Sequence, residues 1–277
     1  MKNRTVASLA IAVVVMVMLS GMPAYSAYSN DGCVIASGGG DVSGGTYSLR
    51  GTIGQAAVGV VTGGTYKVES GFWYTTSFGQ PAQEITKLKD AKSLADGTPV
   101  HATGKIATTD ASDFTGFFYI EEADRSSGIR VVATSIQGTL ARGKTIEVTG
   151  IMATTAAGER YIDQATAVVT GTPSLLGALG MNNKSMGGST LGTPPLGQYG
   201  VPGGSGTNNI GLLVRVWGRV KVAGSVTTLD DGSAVSLTVD TSGLASPPAN
   251  GTYTVITGIS SLYGTAGTAE RLLLAID

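Results

Sequence analysis

Apolar and polar residues alternate through two separate stretches of the chain, and the two stretches share a rhythm. Pro99-Val100-His101-Ala102-Thr103-Gly104-Lys105-Ile106 aligns with Leu213-Val214-Arg215-Val216-Trp217-Gly218-Arg219-Val220. Alternation with period two places successive side chains on opposite faces, so each stretch predicts a half-buried strand. Both are interrupted by one glycine at the same step. The match continues downstream. Residues 117–122 and 227–232 each run a strand into an acidic turn, and residues 128–133 and 234–239 return from it. Residues 145–151 match 253–259, and residues 160–169 and 271–276 supply one further strand to each unit.

Each unit therefore carries five strand candidates, with an irregular connection between the third and the fourth. Gly104 to Gly150 spans 46 positions and Gly218 to Gly258 spans 40. A glycine in the first strand permits the sharp bend that a small barrel wall requires. The expected fold class is all-β, with two five-stranded Greek-key barrels in tandem after a small N-terminal β module. In strand number and placed glycines the two units resemble tandem OB-fold domains of secreted bacterial proteins, the oligonucleotide- and oligosaccharide-binding superfold. The resemblance covers about two thirds of the chain. A β-sandwich made from the same strands is the alternative architecture.

A second repeat lies upstream. Ser43-Gly44-Gly45-Thr46-Tyr47-Ser48-Leu49 is echoed nineteen positions later by Thr62-Gly63-Gly64-Thr65-Tyr66-Lys67-Val68. Each copy predicts a Gly-Gly turn opening a short strand. With Gly51-Thr52-Ile53-Gly54-Gln55 and Gly71-Phe72-Trp73, the segment resembles a glycine-rich region near the N-terminus of many secreted bacterial proteins. That resemblance implies export and no particular activity. The simplest reading of its aromatic residues is a very small core.

The organisation expected is an export signal over 1–26, the glycine-rich module over 27–78, a linker over 79–85, an OB-like domain over 86–171, a Gly/Pro-rich connection over 172–209 and a second OB-like domain over 210–277. Lys2 and Arg4 precede an apolar run from Leu9 to Leu19, and Ala24-Tyr25-Ser26 offers small residues for cleavage. An uncleaved membrane anchor is the alternative for this segment. The connection is long for a structureless loop, and Leu191, Leu196 and Tyr199 give it surface to bury, so partial docking is expected.

Composition narrows the chemistry. Glycine accounts for 42 of 277 residues and charged residues for 13%. Loss of Lys2 and Arg4 with the signal would lower Lys+Arg from 18 to 16 against 19 acids, a net charge of −3. Such a balance argues against non-specific binding to duplex nucleic acid. One His and one Cys exclude most zinc sites and Cys–His catalysis. Cys33 reads as a small buried side chain, with a free thiol or an intermolecular partner as the alternatives. His101 has no nucleophile motif to serve. The acids Glu121, Glu122, Asp124, Asp230 and Asp231 read as solvated turn residues. Gly38-Gly39-Gly40 and Gly203-Gly204-Ser205-Gly206 lack the residues of a phosphate loop. No catalytic residue, metal site or cofactor is expected.

One constellation has direction. On the strand beginning at Leu213, Val214, Val216 and Val220 share one face, and Arg215, Trp217, Arg219 and Lys221 share the other. An indole among three cations suits stacking of a base or sugar beside an anion. The equivalent face of the first unit, His101, Thr103 and Lys105, is weaker. Alternatively, the preceding segment covers Trp217 and the cations pair with acids. The expected function is an exported, non-catalytic binding or interaction module of the cell surface or extracellular medium, for a glycan or a protein. Single-stranded nucleic-acid binding is the alternative, and an extracellular hydrolase a further one. Mass spectrometry of the secreted protein is expected to find an N-terminus close to Ala27, and secreted material beginning at Met1 would refute the export signal.

Overall fold

Strands form where the alternation places them, and the hydrogen-bonded partners of each strand decide what the alternation buries. The computed structural model describes residues 38–44, 47–53, 59–63, 66–70, 81–171 and 174–276. The expected export signal, Cys33, Phe72, Trp73 and the start of the expected linker lie outside the described residues.

The upstream repeat forms two antiparallel hairpins. β1 (Gly38–Gly44) pairs β2 (Tyr47–Ile53), and β3 (Gly59–Gly63) pairs β4 (Tyr66–Ser70). Gly44 lies opposite Tyr47 and Gly63 opposite Tyr66, so both hairpins keep one register.

Residues 81–277 form a separate compact unit. It opens with β5 (Gln83–Glu84), inside the expected linker, and a single helical turn, α1 (Leu88–Ala91). Then come β6 (Pro99–Ala107), β7 (Phe118–Glu121), β8 (Gly128–Gln137), β9 (Thr145–Thr154) and β10 (Arg160–Val169). The protein is all-β and contains a closed five-stranded barrel. Its sheet runs β6-β7-β8-β10-β9, and β6 also pairs β9. All neighbours are antiparallel except β8 and β10. Val100, Ala102, Phe118, Ile120, Ile129, Val131, Ile146, Val148 and Ile162 fill the interior, and Leu88 and Ala91 of α1 pack onto them.

The connection contributes β11 (Leu179–Gly180), one 3-10 turn (Asn183–Ser185) and the hairpin of β12 (Leu191–Thr193) and β13 (Leu196–Gln198). Beyond it lie β14 (Leu213–Ala223), β15 (Val226–Asp230), β16 (Ser236–Asp240), β17 (Tyr253–Tyr263) and β18 (Glu270–Ala275). They form a second, separate sheet in the order β14-β15-β16-β18-β17, and β14 also pairs β17. Val214, Val216, Val220, Leu229, Leu237, Val239, Ile256 and Leu273 cluster inside with Met186 of the connection. The correspondence extends upstream of the long strands. β5 runs parallel to β6 at Val100 and His101, and β11 runs parallel to β14 at Val214 and Arg215.

The connection is stitched to both sheets. Gln198, fully buried, accepts from Arg160 N at 2.9 Å and donates to Gly158 O at 3.0 Å. Asn183, also fully buried, donates to Leu229 O at 2.7 Å and Val235 O at 2.9 Å.

Between the two sheets lies a polar interface. Tyr119 packs with Leu213, Ile259, Leu274 and Ile276. Its hydroxyl donates to Glu159 Oε1 at 2.7 Å, and the other oxygen of Glu159 accepts from Ser261 Oγ at 2.7 Å. Lys92 donates to Ile210 O at 2.7 Å. Glu121 accepts from Leu213 N, and Arg125 donates to Leu213 O at 2.8 Å. Gly128 and Gly211 meet backbone to backbone, and a Cβ on either would overlap the other's peptide.

Two acids of the first unit's turn are therefore not solvated, contrary to the sequence expectation, while Asp124 is exposed as expected. Glu121 and Glu122 are both buried. Glu122 pairs with buried Lys105 at 2.9 Å and accepts from Leu88 N at 2.7 Å. Burial pushes the Glu121 carboxyl up to about 7, against the backbone N–H of Leu213 and the Arg125 guanidinium, which favour its charge. Burial also pulls the Lys92 ammonium down to about 8.

A carboxyl whose pKa is raised on folding stabilises the folded state below its ordinary value, and that contribution is lost as pH rises through the raised one. Denaturant melts are expected to show the protein losing up to about 3 kcal/mol between pH 4.5 and 7 relative to Glu121→Gln, whose side chain stays neutral. Parallel pH profiles for the two proteins would show that this coupling is absent.

Candidate binding wall on the second sheet

β14 pairs with neighbours along both edges, which fixes the direction of every side chain on it. β17 lies on one side from Leu213 to Arg219, and β11 and then β15 on the other. Val214, Val216 and Val220 point inward and are buried. Arg215, Trp217, Arg219 and Lys221 point outward and are exposed, as the alternation requires. Positions i and i+2 stand about 6.6 Å apart along a strand, so Arg215 and Arg219 flank Trp217 at about that spacing.

The connection does not cover the indole: Trp217 is 55% exposed. Among the described residues, Arg215, Arg219 and Lys221 form no ion pair with an acid. Arg219 Nε donates only a long hydrogen bond, 3.4 Å, to Gly251 O.

Strand pairing adds residues that the sequence reading missed. Trp217 lies opposite Val255, Arg219 opposite Tyr253 and Arg215 opposite Thr257. Tyr253 is 79% exposed and Val255 is 59% exposed. An indole, a phenol ring and an isopropyl group thus form one apolar patch among the cations. The signal was present in Tyr253-Thr254-Val255-Ile256-Thr257, where inward Ile256 turns its alternate neighbours outward. Placing them beside Trp217 required knowing that the first and fourth strands pair.

The patch stands between two clefts. One, of about 660 Å³, is lined by Arg215, Val255 and Thr257 with Leu175 and Pro248. The other, of about 630 Å³, is lined by Arg219, Lys221, Thr228, Asp230 and Ser236. Ala234 borders the second cleft with φ at 63°, a left-handed backbone that an alanine rarely adopts. Asp230 caps its turn by accepting from Gly232 N at 2.9 Å. Asp231 accepts from Asn183 N at 2.7 Å and has its pKa lowered overall, by hydrogen bonds that outweigh its desolvation.

The first sheet offers no matching wall. Val100 and Ala102 are buried and His101 points outward, as expected. Gly104 then takes φ 67°, and the register with β9 shifts between Ala102 and Lys105. This bulge turns Lys105 inward to Glu122, which corrects its expected place on the outer face. His101 is held between two carboxylates, Nδ1 at 2.7 Å from Glu84 and Nε2 at 2.9 Å from Glu147. The hydrogen bonds to Glu84 and Glu147 raise its pKa. Among the described residues, no three His, Cys, Asp or Glu side chains converge on a possible metal position.

Neither a scan against protein-family models nor a search of curated proteins finds a match to this chain.

The single imidazole gives a direct check. Its NMR titration midpoint is expected above 6.5, and Glu84→Gln and Glu147→Gln should each lower it. Clamping of the protonated ring contributes stability below the ordinary His value and loses it as pH rises through the raised one. A midpoint at or below 6.5 would show that the ring is not clamped.

Proposed function

We propose that the protein is an exported, non-catalytic binding module built on two OB-like barrels in tandem, and that it holds a glycan on the outer wall of β14 and β17. Trp217 carries the reading: it is exposed, stands in a row with Arg215 and Arg219, and adjoins exposed Tyr253. Aromatic faces that remain in water on a rigid wall suit ligands with flat, weakly polar faces and polar rims, as sugar rings have. Strand order supports the tandem reading, because both sheets run first-second-third-fifth-fourth and pair the fourth strand back to the first. A five-stranded Greek-key barrel of this kind is an architecture used for oligosaccharides and oligonucleotides alike.

The same cations favour a second reading, binding of single-stranded nucleic acid. The chain's net charge of −1 weighs against it, since proteins that bind by neutralising phosphates are usually basic. Both ring nitrogens of His101 are taken by Glu84 and Glu147, so the imidazole does not face a serine or threonine hydroxyl as its base.

Trp217→Ala is expected to weaken glycan binding, and to lower affinity by about 1–3 kcal/mol, about 5- to 150-fold, if a base stacks there instead. It should change stability by less than about 0.5 kcal/mol, because the ring is not part of the core. Affinity electrophoresis across a polysaccharide panel, beside thermal melting, reads both quantities. A large loss of stability with no change in binding would refute the platform.

A further inference from the structure

The cation row faces a field of different chemistry. Crossing from β14 to β15, Lys221 lies opposite Thr228 and Arg219 opposite Asp230. On β16, Thr238 lies opposite Thr228 and Ser236 opposite Asp230. Asp240, further along β16, is also exposed. The wall therefore runs from the phenol and isopropyl groups of β17, across the cations and indole of β14, onto the hydroxyls and carboxylates of β15 and β16.

We propose that the ligand is an acidic glycan, a linear polymer of sugars bearing carboxylates, lying along β14. Its carboxylates meet Arg215 and Arg219, one ring stacks on Trp217, and hydroxyls turn toward Asp230 and Ser236. This rests on the glycan-binding reading of the same wall and adds the class of glycan.

Three observations carry the choice. Arg215, Arg219 and Lys221 have no acidic partner among the described residues, so their charge is available for a ligand. A planar guanidinium matches a carboxylate with two parallel hydrogen bonds, and two arginines here stand about 13 Å apart in a straight row. A single unit of such a polymer offers both an anion for the arginines and hydroxyl donors for a carboxylate. Asp230 lies directly beside Arg219, where it would accept from sugar hydroxyls.

The test titrates the full chain with oligogalacturonate, with its methyl ester and with oligothymidylate, at about 50 mM and about 200 mM salt. The acid is expected to bind about tenfold more tightly than the ester at low salt, with the gap narrowing at high salt as exposed charges are screened. Arg219→Gln should bring the ratio between acid and ester toward one. Trp217→Ala should weaken both. Equal affinity for acid and ester, both lost in Trp217→Ala, would overturn the acidic proposal and leave the glycan reading standing. Binding to neither sugar polymer would overturn both, and tight binding to oligothymidylate in that case would favour the nucleic-acid reading.

Discussion

Pairing of β14 along both edges governs the wall it presents. A strand that pairs on both sides cannot slip by one residue without moving its whole apolar set to the wrong face. β14 is held by β17 on one edge and by β11 and β15 on the other. Its valines are thus locked inward, and Arg215, Trp217, Arg219 and Lys221 are carried outward as a consequence. The exposed row needs no special support of its own. It is the reverse side of a core that strand pairing has already fixed.

β6 shows what happens when that constraint is locally relaxed. It begins in the same register as β14, with Val100 and Val214 opposite Gly150 and Gly258. The bulge at Gly104 then adds a residue, and Lys105 passes from the outer face to the interior. There it meets Glu122, and the pair becomes part of the floor beneath α1. One positive φ angle separates a strand that displays its cations from one that buries them.

Much of this was legible in the sequence. Alternation located the long strands within a few residues, and the paired glycines aligned the two stretches strand candidate by strand candidate along the chain. The outward row on β14 followed from counting by twos. The bulge was not legible, because Gly104 and Gly218 look equivalent in the alignment. In the structure Gly104 uses its freedom to take a positive φ, while Gly218 makes room for the Asp230 carbonyl. The burial of Glu121 and Glu122 was equally hidden. Adjacent acids at a hairpin tip look solvated until other elements settle over them: the second sheet supplies Leu213 N to Glu121, and β6 and α1 supply Lys105 and Leu88 N to Glu122. Tyr253 and Val255 were readable as outward residues but not as neighbours of Trp217, since that depends on a long-range pairing.

The doubly paired edges of β14 have a further consequence for molecular traffic at the surface. A partner that recognises proteins by adding an extended strand to a sheet needs a row of unpaired backbone N–H and C=O groups. Here the aromatic and cationic side chains project from a strand whose main chain is largely occupied on both sides. Visitors to this wall must be read by side chains alone, which favours ligands with faces and charges of their own over peptides that bind by backbone mimicry. The same pairing leaves little of the main chain of β14 as a template for self-stacking beside the exposed tryptophan, tyrosine and valine.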